Sequence, residues 1–138
     1  MQQRKAAEMM AEAHKKLNPG WWDKMTSGGV RYDEAGELFM KAGNMYKKDK
    51  QLDEAMNAFV QAAKTFSLGK DAHDAANAYV QAGNCAKQAS NVSVAVDYLQ
   101  KAVDIYSDDG KYVVFVVFLR FGFDFWFYFQ KIYLNIKP

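Results

Sequence analysis

Between Tyr32 and Tyr106 the sequence repeats itself every twenty residues without a gap. Written in rows of twenty, Ala35, Ala55, Ala75 and Ala95 fall in one column, and Phe39, Phe59, Tyr79 and Leu99 in a second. Ala42, Ala62, Ala82 and Ala102 form a third column; Tyr46, Phe66, Ala86 and Tyr106 form a fourth, broken once at Ala86. Within a row these positions are i, i+4, i+7 and i+11, the spacing of one face of an α-helix. Two alanines per helix let neighbouring backbones approach, and the large residue beside them fills the groove of the next helix. The columns are therefore core, and function is to be sought on exposed residues and turns.

Each row also carries a polar or glycine-containing break: Ser27-Gly28-Gly29, Lys48-Asp49-Lys50-Gln51, Ser67-Leu68-Gly69-Lys70, Ala89-Ser90-Asn91 and Asp108-Asp109-Gly110. Asp33 and Asp53 stand where acidic side chains favour a helix amino end. One row thus predicts one helix of about three to four turns and a short turn. Short turns make neighbours antiparallel, and two rows make a helical hairpin. Stacked hairpins give an all-α, tetratricopeptide-like α-solenoid. A hairpin of about forty residues exceeds the tetratricopeptide length of about 34, so the motif is a relative of that repeat.

The regular part spans residues 1–110; residues 111–138 form a second unit of different character. There Phe, Val and Tyr dominate, and more than half of the chain's aromatic residues lie in it. Val113 to Leu119 is an unbroken apolar run with strand preference, and Phe121, Phe123, Phe125, Phe127 and Phe129 then alternate with other residues at a period of two. The repeat would place alanine at 115; Phe115 stands there instead. This irregular, aromatic-rich tail has three readings. A transmembrane segment is interrupted by Arg120 and Asp124. A genuine hairpin or swapped helix is the second. Translation past an unspliced intron or a frameshift is the third, favoured because Phe, Tyr, Ile, Lys and Asn share A/T-rich codons.

Several function classes find no support. The net charge of +2 is too near neutral for non-specific nucleic-acid binding. The one cysteine, Cys85, excludes an internal disulfide framework and fits a reducing compartment; it shares a repeat column with Met45, Thr65 and Ile105 and is expected in the core. Met1 to His14 lacks the apolar core of a secretory signal. His14 and His73 are far apart and lack companion ligands at metal spacing, so no metal site is expected. Gly28-Gly29 is not followed by the Lys-Ser/Thr of a phosphate loop, so no cofactor is expected either. Asp33-Glu34 and Asp53-Glu54 recur with the repeat and read as helix starts, not as a catalytic dyad. The chain is not expected to be an enzyme.

Asn18-Pro19-Gly20 ends the first helix, and Trp21, Trp22, Asp23, Lys24 and Met25 follow before the Gly28-Gly29 hinge. Adjacent tryptophans outside the helical stripe suit a water–lipid interface, where the ring sits in the apolar layer and the N–H near headgroups. The residues themselves leave a second option open, in which the pair folds back to cap the first hairpin.

Ala7 to Leu17 (AEMMAEAHKKL), Tyr32 to Lys50 (YDEAGELFMKAGNMYKKDK), Lys70 to Lys87 (KDAHDAANAYVQAGNCAK) and Ala95 to Lys111 (AVDYLQKAVDIYSDDGK) together resemble the α/β-type soluble NSF attachment proteins. The resemblance covers roughly Ala6 to Lys111 and stops at Tyr112. It implies an adaptor, cytoplasmic and peripheral on membranes, that lines a syntaxin-type SNARE four-helix bundle with a basic concave face. In the family, carboxy-terminal helices then recruit the NSF ATPase for disassembly in vesicle fusion and ER–Golgi and other intracellular transport; that region is expected to be missing here. The resemblance makes Trp21, Trp22 and Met25 a membrane-dipping loop, where the family carries exposed aromatics. It makes Lys47, Lys50, Lys87 and Lys111 SNARE-binding, while Gln88 departs from a lysine common in the family. Lysine in a last helical turn also complements the helix dipole. The alternative is a generic tetratricopeptide-like scaffold for an unrelated peptide. The intron reading of the tail predicts a splice donor in the genomic sequence near codon 111, followed by the remaining family helices; an uninterrupted open reading frame there would contradict it.

Overall fold

Four helices of 17 residues begin twenty residues apart, so the sequence period is the spacing of whole structural elements. The computed structural model describes residues 2–26, 30–108 and 131. The helices are α1 (Gln2–Leu17), α2 (Trp21–Thr26), α3 (Tyr32–Lys48), α4 (Leu52–Leu68), α5 (Ala72–Gln88) and α6 (Val92–Asp108). No strand occurs among the described residues. At about 3.6 residues per turn the repeat helices run nearly five turns, longer than the three to four expected, because residues counted as turn continue the helix. Lys111 and the rest of the tail of residues 111–138, residue 131 apart, lie outside the described residues.

The turns after α3, α4 and α5 share one geometry. Lys50, Lys70 and Ser90 adopt left-handed backbone, with φ of 58°, 62° and 61°. The next amide in each case reaches back five residues: Gln51 N–H donates to Tyr46 O, Asp71 N–H to Phe66 O and Asn91 N–H to Ala86 O, each at 2.9 Å. Lys50, Lys70 and Ser90 N–H donate to Lys47, Ser67 and Lys87 O at 3.1–3.2 Å. This paired closure satisfies carbonyls that a helix end leaves open. It is made without glycine at the left-handed position, at a cost of about 1 kcal/mol per turn. Downstream, the Asp71 carboxylate caps α5 by accepting from Asp74 N–H, and Asn91 Oδ1 accepts from Val94 N–H.

Three-residue turns force antiparallel packing, and α1, α3, α4, α5 and α6 stack in chain order. Contacts across α3 and α4 give the register. A Cβ on Gly36 would stand 2.5 Å from the Phe66 ring, and one on Gly43 would stand 2.7 Å from Phe59. Seven residues forward on α3 correspond to seven back on α4. The two rings therefore lie directly on α3 backbone, which only glycine permits. The same register pairs Gly83 with Leu99, where a Cβ would stand 2.9 Å from Leu99 Cγ. Met56 packs against the buried cluster of Ala55, Phe59, Ala82 and Cys85.

The alanine columns are buried as their spacing predicts, with Ala6 and Ala13 extending them into α1. Phe39 and Phe59 are fully buried, and Phe66 and Tyr79 nearly so. Cys85 is a buried free thiol in the core, as its column position predicts.

The ring-on-glycine contact makes a sign prediction. Gly36→Ala should destabilise the fold by about 1–2 kcal/mol, overpacking against Phe66 outweighing the gain in helix propensity. In a Phe66→Ala background the same change should be neutral or stabilising by up to about 1 kcal/mol. Urea unfolding of the four proteins in this cycle measures both; an equal cost in both backgrounds would exclude the contact.

Candidate functional site

The segment expected as a loop after α1 is a six-residue helix, α2, set off by Asn18, Pro19 and Gly20. Lys24 N–H donates to Gly20 O at 3.1 Å, and Thr26 Oγ1 donates to Trp22 O at 2.8 Å. At about 100° per residue, Trp21, Trp22 and Met25 fall on one flank of this turn. Their side chains face water: Trp21 is 62 % exposed, Trp22 63 % and Met25 74 %. The two indoles stack on each other, with ring centroids 4.2 Å apart and planes at 27°. The pair does not fold back over the first hairpin. Gly28 and Gly29 lie outside the described residues.

On either side of α2, α1 and α3 are joined through Glu34. Lys16 Nζ on α1 meets Glu34 Oε2 at 2.8 Å, and Arg31 Nη1 meets Oε1 at 3.2 Å. The Lys16 hydrogen bond is the largest influence holding the Glu34 carboxyl below its ordinary value, opposed by partial desolvation and aided by the charges of Arg31 and Lys16. His14, two residues earlier on α1, sets its ring edge-on to Phe39 at 5.0 Å. These contacts fix the base from which α2 projects.

The lysines singled out in the sequence have different surroundings. Lys47 is half-buried, and its Nζ donates to Gln81 Oε1 on α5 at 3.4 Å. Its charge also acts on Cys85, whose thiol burial pushes up and Lys47 partly pulls back down. Lys50 is exposed at the left-handed turn position, and Lys87 is exposed in the last turn of α5. Because α4 runs antiparallel between them, α3 and α5 point the same way. Lys47, Lys50 and Lys87 therefore share one end of the solenoid, with Lys47 and Lys87 at equivalent positions forty residues apart. Lys111 lies outside the described residues.

Two polar contacts were not foreseen from the sequence. Gln81 is the partner of Lys47, and its only sequence signal is the stripe Asn77, Gln81, Asn84 and Gln88 at helical spacing on α5. Lys101 Nζ stands 5.7 Å from the ring centroids of both Tyr79 and Tyr98, which stack on each other across α5 and α6. Among the described residues no helix is long and apolar enough to cross a membrane.

Comparison with known proteins bears on this arrangement. The family described as soluble NSF attachment protein, SNAP, matches residues 4–114. The beta-soluble NSF attachment protein of Bos taurus is 37 % identical over 114 residues, which cover 81 % of this chain and 38 % of that protein. The chain thus spans well under half the length of this curated relative.

The Glu34 ion pairs predict a pH signature. A carboxyl whose folded pKa is depressed adds stability above its unfolded value, and that stability is lost as pH falls through the lower folded value. Glu34→Gln should therefore lower Tm at neutral pH and low salt, and the difference should vanish on acidification from about the ordinary value of 4.5 downward. Thermal melts of both proteins across pH test this; a difference that persists when the carboxyl is protonated would assign it to packing instead.

Proposed function

The chain belongs to the soluble NSF attachment protein family, and on that premise we propose that it is a non-enzymatic adaptor that grips acidic SNARE helical bundles at the cytoplasmic face of a membrane. α2 meets the lipid, and the lysines at the carboxyl ends of α3 and α5 meet the bundle. The observation that carries this reading is the exposed, self-stacked Trp21–Trp22 pair on a helix outside the solenoid core. Hydrophobic surface of this kind is costly in water and gains by entering an interfacial layer.

The magnitudes favour a peripheral protein. Burying two tryptophans and a methionine in the interface is worth on the order of 3–6 kcal/mol, equivalent to roughly millimolar to tens-of-micromolar binding. That is too weak to hold the protein on a membrane alone. A second contact with a membrane-anchored bundle raises the effective concentration of the first, and the two together give useful avidity. Lys47, Lys50 and Lys87 supply that contact through salt-sensitive attraction, and Lys111 extends the set. Lys47 is held by Gln81, so it meets the bundle already oriented. In the family's scheme the link to the NSF ATPase runs through carboxy-terminal helices, so the proposal for residues 4–114 concerns the membrane and the bundle.

Two measurements test the contacts separately. Trp21→Ser with Trp22→Ser should cut vesicle binding about tenfold or more with helicity unchanged by circular dichroism; unaltered vesicle binding would remove α2 from the membrane. Lys47→Glu with Lys87→Glu should weaken SNARE-bundle capture about tenfold at physiological salt in a protein that still melts cooperatively. Capture equal to that of the unmodified chain would remove these lysines from the interface.

A further inference from the structure

Resting on the reading of α2 as the membrane contact, we infer that this contact selects an anionic lipid surface, and that Glu34 sets how strongly. Between His14 and Arg31 the chain carries four fixed cations, Lys15, Lys16, Lys24 and Arg31, against one acid, Asp23. They bracket the exposed Trp21, Trp22 and Met25 on both sides in sequence and within α2 itself. Lys15 and Lys24 are exposed, and neither pairs with another described side chain. Lys24 sits on α2 beside the apolar flank, and Lys15 lies in the last turn of α1, three residues before the Asn18–Gly20 connection. Six residues span at most about 20 Å, so Lys15 remains close to the Trp pair. A surface with an aromatic wedge rimmed by free cations matches a leaflet whose acyl boundary lies beneath negative headgroups.

The other two cations are partly neutralised. Lys16 and Arg31 both bind the Glu34 carboxylate, at 2.8 Å and 3.2 Å. Glu34 belongs to α3 and binds Lys16 near the carboxyl end of α1, five residues before Trp21, so its negative charge opposes the field of the rim. Each lysine near an acidic leaflet strengthens binding about fivefold. The two free lysines thus account for an order of magnitude or more in headgroup preference, and releasing Lys16 and Arg31 should add to it.

The test is co-sedimentation of the chain with vesicles of phosphatidylcholine alone and of phosphatidylcholine with phosphatidylserine. The unmodified chain should bind the acidic vesicles at least tenfold more tightly. Lys15→Gln with Lys24→Gln should remove most of that preference and leave binding to neutral vesicles unchanged. Glu34→Gln, in protein that still melts cooperatively above the assay temperature, should bind acidic vesicles several-fold more tightly than the unmodified chain, and high salt should abolish the gain. Equal Trp-dependent binding to both vesicle types, or no gain with Glu34→Gln, overturns the inference and leaves the membrane reading of α2 standing. Absence of Trp-dependent binding to either vesicle overturns both.

Discussion

α4 and α6 are each placed by large side chains seated on glycines of the helix before them. Phe66 lies on Gly36 and Phe59 on Gly43, closer than a β-carbon would allow, and Leu99 lies on Gly83 in the same register. Such contacts combine close backbone approach with burial of the largest side chains, the combination that gives apolar packing its greatest yield per residue. They also fix register. A helix that slipped by one residue would drive a ring into a side chain rather than a glycine. The seats at Gly43 and Gly83 are forty residues apart, and the ends of α3 and α5, with Lys47 and Lys87, fall at equivalent places.

Much of this arrangement is legible in the sequence. The alanine and aromatic columns identify the buried face, and the polar breaks locate the turns to within a few residues. Cys85 is correctly placed in the core by the company of its column. The seats are harder to see. Gly36, Gly43 and Gly83 look like helix-weakening residues until the side chains that cover them are known, and those side chains are up to thirty residues away. The left-handed positions themselves, Lys50, Lys70 and Ser90, are not glycine and so leave no signal of their backbone conformation, although glycine is the usual residue there.

The candidate site divides in the same way. Trp21 and Trp22 attract notice as residues, but six residues are too few to show helical periodicity, so α2 reads as loop. Which of the two open placements the indoles take, folded back or exposed, depends on the path of the chain after Gly20. The Lys16–Glu34 and Lys47–Gln81 contacts join residues 18 and 34 positions apart, a separation at which neither charge nor spacing gives a sequence signal. The first ties α1 to α3 at the foot of α2; the second ties α3 to α5 where the lysines gather. The chain thereby carries an apolar projection and a basic end, the two contacts that two-point attachment requires.

The central claim is that α2 enters the lipid while the solenoid holds a SNARE bundle. The chain's third tryptophan is Trp126, so a Trp126→Phe protein reports on α2 alone. The decisive measurement is quenching of its indole emission by brominated lipids in vesicles bearing membrane-anchored SNARE bundles. The account predicts a blue-shifted emission and strong quenching that depend on the bundle being present. Emission that stays at its aqueous wavelength and is unquenched, while the protein is shown to be bound to the bundle, would contradict it.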